Sequence, residues 1–440
     1  MSLLLRAARI FDGEAFLEDA ALRIEGGRVL AAGAGLDPLP GEELRELGSA
    51  WILPGLVDCH VHFREPGLER KEGWAHGSAG ALHGGVTTVL EIQNNPPLLT
   101  RLEILEAKLR LAEAKSRVDF GAYGNLVEEA LPELEALARR TPALKCFLGC
   151  STGAAGVPDE ATLLRLFEAA ARAGAKVVAH CEDDEVMRRN AEALRGTPAA
   201  TLHHRIRDEE AEVRSIETAL RAAERTGVRL HVFHLSTARG ASLVAEAGAS
   251  GLPVSGSTGP AYLLLSWEEV EALGQNRLKV NPAIKSAADR DGLTALLAEG
   301  RIACLGTDHA PHPLEEKARP YAKAPSGFPQ VDLFLPLLFE VARRHGLPLE
   351  RVLRAATADA AREFGIPGKG RLRPGADADF VILDPEEERS VDESRLLSRS
   401  GWSPFHGWRL RGFPREVWLR GEPALRDGRV LGPPRGRSLW

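Results

Sequence analysis

Short apolar runs of strand length recur through the middle of the chain, at 52–59, 86–92, 118–123, 144–148, 176–180, 230–234, 252–255 and 302–307. Most are separated by Ala/Leu/Glu/Arg segments such as RLEILEAKLRLAEAKS and DEEAEVRSIETALRAAERTG, where apolar residues return at helical spacing. Eight strand-helix units close more economically into a barrel than they extend as an open sheet. The pattern predicts an α/β fold, a (β/α)8 TIM-like barrel over 51–361, with polar residues at the carboxyl ends of its strands facing one site.

The two ends have another texture. LLLRAARIF and AALRIEGGRVLAAG, broken at Gly26 and Gly27, read as a hairpin, and GKGRLRPGADADFVILD and VWLRGEPALRDGRVL repeat the strand-turn-strand pattern. Neither end holds enough apolar surface for a core of its own. Residues 1–50 and 362–440 are therefore predicted to pack together as one small, discontinuous β-sandwich domain.

Composition narrows the function. With 440 residues, two domains are expected. Lys and Arg number 56 against 62 Asp and Glu, mixed along the chain, so a dense basic face for nucleic acid is not expected. Cys59, Cys146, Cys150, Cys181 and Cys304 lack the paired spacing of a disulfide or structural zinc framework and read as reduced thiols. The opening MSLLLRAARIFDG is too short and too soon charged for a signal peptide, and no stretch approaches about 18 uninterrupted apolar residues. A cytoplasmic enzyme or binding protein without a membrane partner is expected.

The chemistry gathers at the strand ends. In GLVDCHVHFREPG, His60 and His62 are two residues apart, so an extended strand turns both to one side. His180 ends the fifth run, His234 the sixth, and Asp308 follows the eighth. Imidazoles with a carboxylate suit Zn²⁺, Co²⁺ or Mn²⁺ rather than Ca²⁺. These donors exceed the needs of one tetrahedral ion, and two ions need a bridge. Lys145 supplies one if its neutral amine takes up carbon dioxide; otherwise its stem packs and its head reaches water. Metal-activated hydroxide, with Asp308 moving the proton to a leaving nitrogen, points to hydrolysis of an amide-like bond or its reversal.

The pieces GLVDCHVHFREPG, LKCFLGCSTG, VVAHCEDDEV, HVFHLSTARG, VNPAIKSAADRDGL and GTDHAPHPLEEKARPY resemble the amidohydrolase superfamily. Within it they resemble the cyclic amidases: dihydroorotases, allantoinases and the dihydropyrimidinase/hydantoinase group. The His-x-His-x-Arg and Asp-His-Ala-Pro-His motifs lean toward the dihydroorotases. The resemblance implies two zinc ions held by His60, His62, His180, His234, Asp308 and an N6-carboxylated Lys145. It implies Asp308 as acid/base, Arg64 with His312 on a substrate carboxylate, and Asn281 on the ring. The implied reaction is reversible ring closure of N-carbamoyl-L-aspartate to L-dihydroorotate in pyrimidine synthesis.

Two departures bear on the substrate. EIQNNPP puts Gln93 where a carboxylate-binding Asn is usual, with Asn94 beside it, and GPAYL has Ala261 in place of a histidine. The alternatives are an allantoinase or hydantoinase, or a non-catalytic homologue stabilising a partner such as aspartate transcarbamoylase; a homo-oligomer fits the class. His309 reads equally as support for a ligand or as a structural hydrogen-bonder. His203 and His204 read as loop or helix-start residues, and His231 as core or as support beneath the site. Cys150 and Cys181 lack a base partner at recognisable spacing. The Gly-rich pieces lack the ending of a phosphate loop, and the Pro-rich 313–327 segment is expected to be exposed or mobile, a candidate lid.

Overall fold

The structure, a computed structural model, describes residues 2–273 and 276–440. Eight parallel strands, Leu56–Val61, Val86–Ile92, Asp119–Asn125, Leu144–Phe147, Lys176–His180, Arg229–Val232, Val254–Thr258 and Cys304–Leu305, each pair with the next in chain order. Val86–Ile92 is buried at all seven positions, as expected for a strand covered on both faces. Helices cross between the strands, and several begin at a side-chain cap. Asp208 accepts from Ala211 N at the start of Glu209–Thr226, and Gly227 ends that helix in the left-handed conformation, with φ 69°. Ala211, Ile216, Ala219 and Ala223 give it the stripe that it buries.

The barrel closes between its first and last strands mainly through one side chain. Asp58 accepts from Thr307 N (2.9 Å), Thr307 Oγ1 (2.6 Å) and His60 N (3.1 Å). His62 N donates to His309 O at 2.8 Å just beyond.

The apolar run at 52–59 is two strands, not one. Trp51–Pro54 pairs with Leu3–Phe11 and with Phe380–Leu383, outside the barrel. Gly55 makes the passage, since a Cβ there would stand 2.2 Å from Thr87 Oγ1. The small domain is one continuous nine-stranded hydrogen-bonded sheet drawn from both ends of the chain, and it curls so that strands far apart in its order meet, Arg45 pairing with Glu416 at 2.8 Å. Its apolar face carries Leu5, Ile10, Leu22, Ile24, Ile52, Phe380 and Trp418. The segment between Phe380–Leu383 and Pro414–Leu419 leaves that sheet to lie on the barrel, where Trp402 Nε1 donates to His312 O (2.8 Å) and Arg399 N to Glu72 Oε1 (3.0 Å). Among the described residues no helix is long and apolar enough to cross a membrane.

Where the two bodies meet, Lys369 Nζ, 1% exposed, lies 2.5, 2.8 and 2.6 Å from carboxylate oxygens of Asp119, Asp377 and Asp379. Asp119 belongs to the third barrel strand, and Arg420 pairs with it from the small domain. The three carboxylates raise the pKa of Lys369 against the opposing effect of burial. Lys369→Ala should leave these buried carboxylates short of their central cation and destabilise the protein by about 3–5 kcal/mol. Thermal unfolding of the variant checks this, and an unchanged midpoint would contradict it.

Candidate metal centre and active site

All the candidate ligands sit at or just past the carboxyl ends of barrel strands, or within one, and they line one narrow cavity of ≈ 30 Å³ together with Arg64, Asn94 and Asn281. Three of these residues adopt left-handed backbone: Arg64 (φ 64°), His234 (φ 40°) and Asp308 (φ 49°). Most side chains avoid this region; the other three non-glycine residues in it among the described residues, Asp19, Arg420 and Asp427, lie in the small domain.

The donors fall into two adjoining groups. His60 Nε2, His62 Nε2 and Asp308 Oδ1 lie within 3.2 to 3.3 Å of one another. His62 Nδ1–H donates to Ile92 O (2.9 Å), which leaves its Nε2 lone pair facing the group. His180 Nδ1 and His234 Nε2 converge at 3.1 Å. The His60 and His234 rings, with centroids 5.3 Å apart, join the two groups. Burial lowers the pKa of all four imidazoles, so they are neutral ligands in waiting. Converging neutral nitrogens and a carboxylate fit a borderline divalent ion, and His60, His62 and Asp308 are close enough to share one.

Lys145 is 1% exposed, with Nζ 4.6 and 4.9 Å from the ring centroids of Phe147 and Phe233. Burial lowers its pKa to about 8, against the pull of Asp308. Burial also raises Asp308 to about 7, opposed first by Lys145 and then by Arg64. A carboxyl group near neutrality can both take and give a proton.

On the substrate side, Arg64 is 3% exposed and Nη1 donates to Asn94 Oδ1 (2.5 Å), while its Nε makes no hydrogen bond among the described residues. Burial lowers its pKa to about 10, yet it stays a cation. Asn281 faces the cavity beside Ser151, with Nδ2 3.3 Å from Ser151 Oγ.

Gln93 is placed away from the cavity. Its Nε2 donates to Pro97 O (2.9 Å) and its Oε1 accepts from Lys108 Nζ, so both ends of the amide are committed, and Asn94 faces Arg64 instead. His312 stands one layer behind the wall: Nε2 donates to Ser326 O (3.1 Å), a cavity-lining residue, and Nδ1 accepts from Lys71 Nζ (2.9 Å). Ala261 is buried in the short helix Pro260–Leu264 and brings no polar group to the site.

Several residues that matter here carry no motif. Glu182 lies 3.0 Å from His180 Nε2 and pairs with Arg207, a carboxylate two residues past a histidine being the only sequence signal. Asp58 was visible beside His60, but its partner Thr307 was not. His309 Nδ1 accepts from Gln330 N (3.2 Å) and Val331 N (3.3 Å), while its carbonyl closes the barrel. His231 lies deeper, bonded to Ser255 and Ser257, and His204 stacks on Trp267. The 313–327 segment is tied down rather than free. Lys317 Nζ donates to the carbonyls of Lys279, Pro325 and Gly327, and Lys279 Nζ to those of Tyr321 and Ala324, all within 3.0 Å. Asp119, Asp377 and Asp379, also close enough to hold an ion, already surround the Lys369 ammonium.

The amidohydrolase family model matches residues 51–422, and the chain belongs to that family. It is 36% identical to a dihydroorotase of Halobacterium salinarum, over 95% of this chain and 96% of the relative. It is 35% identical to an allantoinase of Streptomyces avermitilis, over 100% of this chain and 98% of the relative. Among solved structures it is similar to an L-hydantoinase (dihydropyrimidinase) from Arthrobacter aurescens, with TM-score 0.93 and 28% identity over 99% of each chain. A D-hydantoinase from Thermus sp. superposes with TM-score 0.89 at 26% identity, over 99% of this chain and 98% of that one. These relatives set the chain in the cyclic amidase group.

Two substitutions separate ligand loss from loss of barrel closure. His62→Ala should lower divalent metal content, measured by elemental analysis, with little change in thermal midpoint. Asp58→Ala should lower both, since stranding its buried donors costs about 1–3 kcal/mol each; an unmoved midpoint would remove Asp58 from barrel closure.

Proposed function

We propose that this chain is a dihydroorotase, catalysing the reversible hydrolysis of the ring amide of L-dihydroorotate to N-carbamoyl-L-aspartate in pyrimidine synthesis. The observation that carries the substrate is Arg64, a buried cation with an uncommitted Nε beside Asn94. A buried guanidinium that makes no direct ion pair among the described residues suits an anionic ligand, and a carboxylate meets its fork with two charge-assisted hydrogen bonds. Dihydroorotate carries a carboxylate; allantoin, hydantoin and dihydrouracil are neutral rings.

In this reading His60, His62 and Asp308 would hold one divalent zinc ion and His180 and His234 a second. Lys145 would bridge them as a carbamate, formed when its neutral amine adds carbon dioxide and releases a proton. Such ions, when bound, activate water at neutral pH and polarise the carbonyl under attack. Arg64, held by Asn94 Oδ1, takes the substrate carboxylate and sets the ring amide over the strand ends. Asn281 donates to a ring oxygen. Asp308 accepts the proton of the attacking water and delivers it to the ring nitrogen as the C–N bond breaks. The reverse reaction runs the same proton back. The close identity to an allantoinase supports a second reading, in which the ring is neutral and Arg64 serves another acceptor.

The deciding experiment is turnover of L-dihydroorotate, allantoin and dihydrouracil by zinc-reconstituted protein, with metal counted in the same preparation. Dominant dihydroorotate turnover is expected; dominant allantoin turnover would replace this reading with the second. Arg64→Ala should cut kcat/KM for the carboxylated ring by about a hundredfold, the loss of a charge-assisted pair. The effect on neutral rings should be small, and equal losses would remove Arg64 from carboxylate binding. Lys145→Ala should lower metal occupancy and turnover together, and retention of both would exclude the carbamate bridge.

A further inference from the structure

A chain of three side chains reaches the cavity from outside it. His203 Nε2 lies 2.8 Å from Asn281 Oδ1, and His203 Nδ1 lies 2.6 Å from the Tyr321 hydroxyl. The amide oxygen only accepts, so Nε2 carries the imidazole proton and Nδ1 accepts from the phenol. This pins the Asn281 oxygen on the outside and turns its NH₂ group inward, toward Ser151 Oγ. Burial holds the His203 pKa down, with Arg207 adding to the effect, so the ring keeps one proton and one lone pair.

The three residues come from three different connections. His203 follows the fifth barrel strand, Asn281 the seventh and Tyr321 the eighth. Tyr321 is itself anchored, because its carbonyl accepts from Lys279 Nζ and the same loop is tied by Lys317. The chain therefore runs from a fixed loop, through His203, to the amide that lines the cavity. Asn281 lines this narrow cavity together with Ser151. His203 is the link joining the 194–207 connection to this wall.

We infer that His203, oriented by Tyr321, is a positioning residue that holds the Asn281 amide with its N–H toward the substrate. This wall then selects a ring offering a carbonyl oxygen over one offering an N–H at that point. The inference rests on the reading above only in that Asn281 touches the ring; it does not depend on which cyclic amide is the substrate.

The test uses full-length, metal-reconstituted protein, the ring amide that it turns over best, and the variants His203→Ala, His203→Gln and Tyr321→Phe. His203→Ala should raise KM about tenfold, the worth of a positioned hydrogen bond, and change kcat less than about threefold. His203→Gln, which again supplies an N–H and a carbonyl, should recover most of the loss, and Tyr321→Phe should fall between. Hydrogen exchange supplies a readout independent of turnover: amides in 194–207 should exchange faster in His203→Ala, with bound metal unchanged. An unmoved KM, or parallel losses of kcat and metal that Gln does not rescue, would overturn the role. If dihydroorotate is inert and another ring is turned over, the substrate reading fails while the KM comparison on that ring still judges His203. If no ring is turned over, exchange decides, and unchanged exchange at 194–207 rejects the link.

Discussion

The contact between Asp58 and Thr307 is the constraint on which the site depends. A parallel barrel has to bring its last strand against its first, and here the last strand is only Cys304–Leu305. Two residues of ladder fix little. A buried carboxylate that accepts from both the backbone and the hydroxyl of Thr307, and from His60 N, fixes the register of 58–62 against 307–309. His60, His62 and Asp308 lie within that frame. Their mutual spacing of little over 3 Å is a consequence of closure as much as of the side chains themselves.

Around this seam the protein tolerates arrangements that a core selected for stability alone would avoid. Left-handed backbone at Arg64, His234 and Asp308 costs on the order of 1 kcal/mol or more at each position. Neutral imidazole nitrogens face one another, and the Nε of a buried guanidinium makes no hydrogen bond among the described residues. An apolar cluster including Leu90, Tyr123, Val178 and Phe233 packs inside the barrel beneath these groups. Such departures from local preference, concentrated in one place, are what a binding site looks like before its ligands are considered.

Much of this was legible in the sequence because it follows from short-range periodicity. Runs buried on both faces read as strands, amphipathic segments as helices, and His60 and His62 reveal their shared face through the period of two. Contacts set by distant chain escaped. The 52–59 run concealed a change of domain at Gly55, since apolar character continues through both strands. Gln93 and Asn94 are neighbours in sequence, and only the turn after the second barrel strand decides which meets Arg64; Lys108, from the following helix, claims the glutamine. His312 looked like a substrate contact, but a carbonyl and a lysine fill its two nitrogens. The charged 313–327 segment looked loose because nothing local announces that Lys279 and Lys317 fold inward to hold its carbonyls.

The sheet shared by the two chain ends imposes an order on assembly. As the polypeptide emerges during synthesis, Leu3–Phe11 can pair with Phe16–Glu25 and with Trp51–Pro54 early, but the other edge of Trp51–Pro54 must wait for Phe380–Leu383, more than three hundred residues later. Until then the apolar faces around Ile10, Ile24 and Ile52 remain partly uncovered while the whole barrel is being made. Such long-separated pairing is slow, and an early unpaired edge invites association with other chains. Completion of the small sheet is therefore a late event in assembly, and the interval before it is when the nascent chain most needs protection.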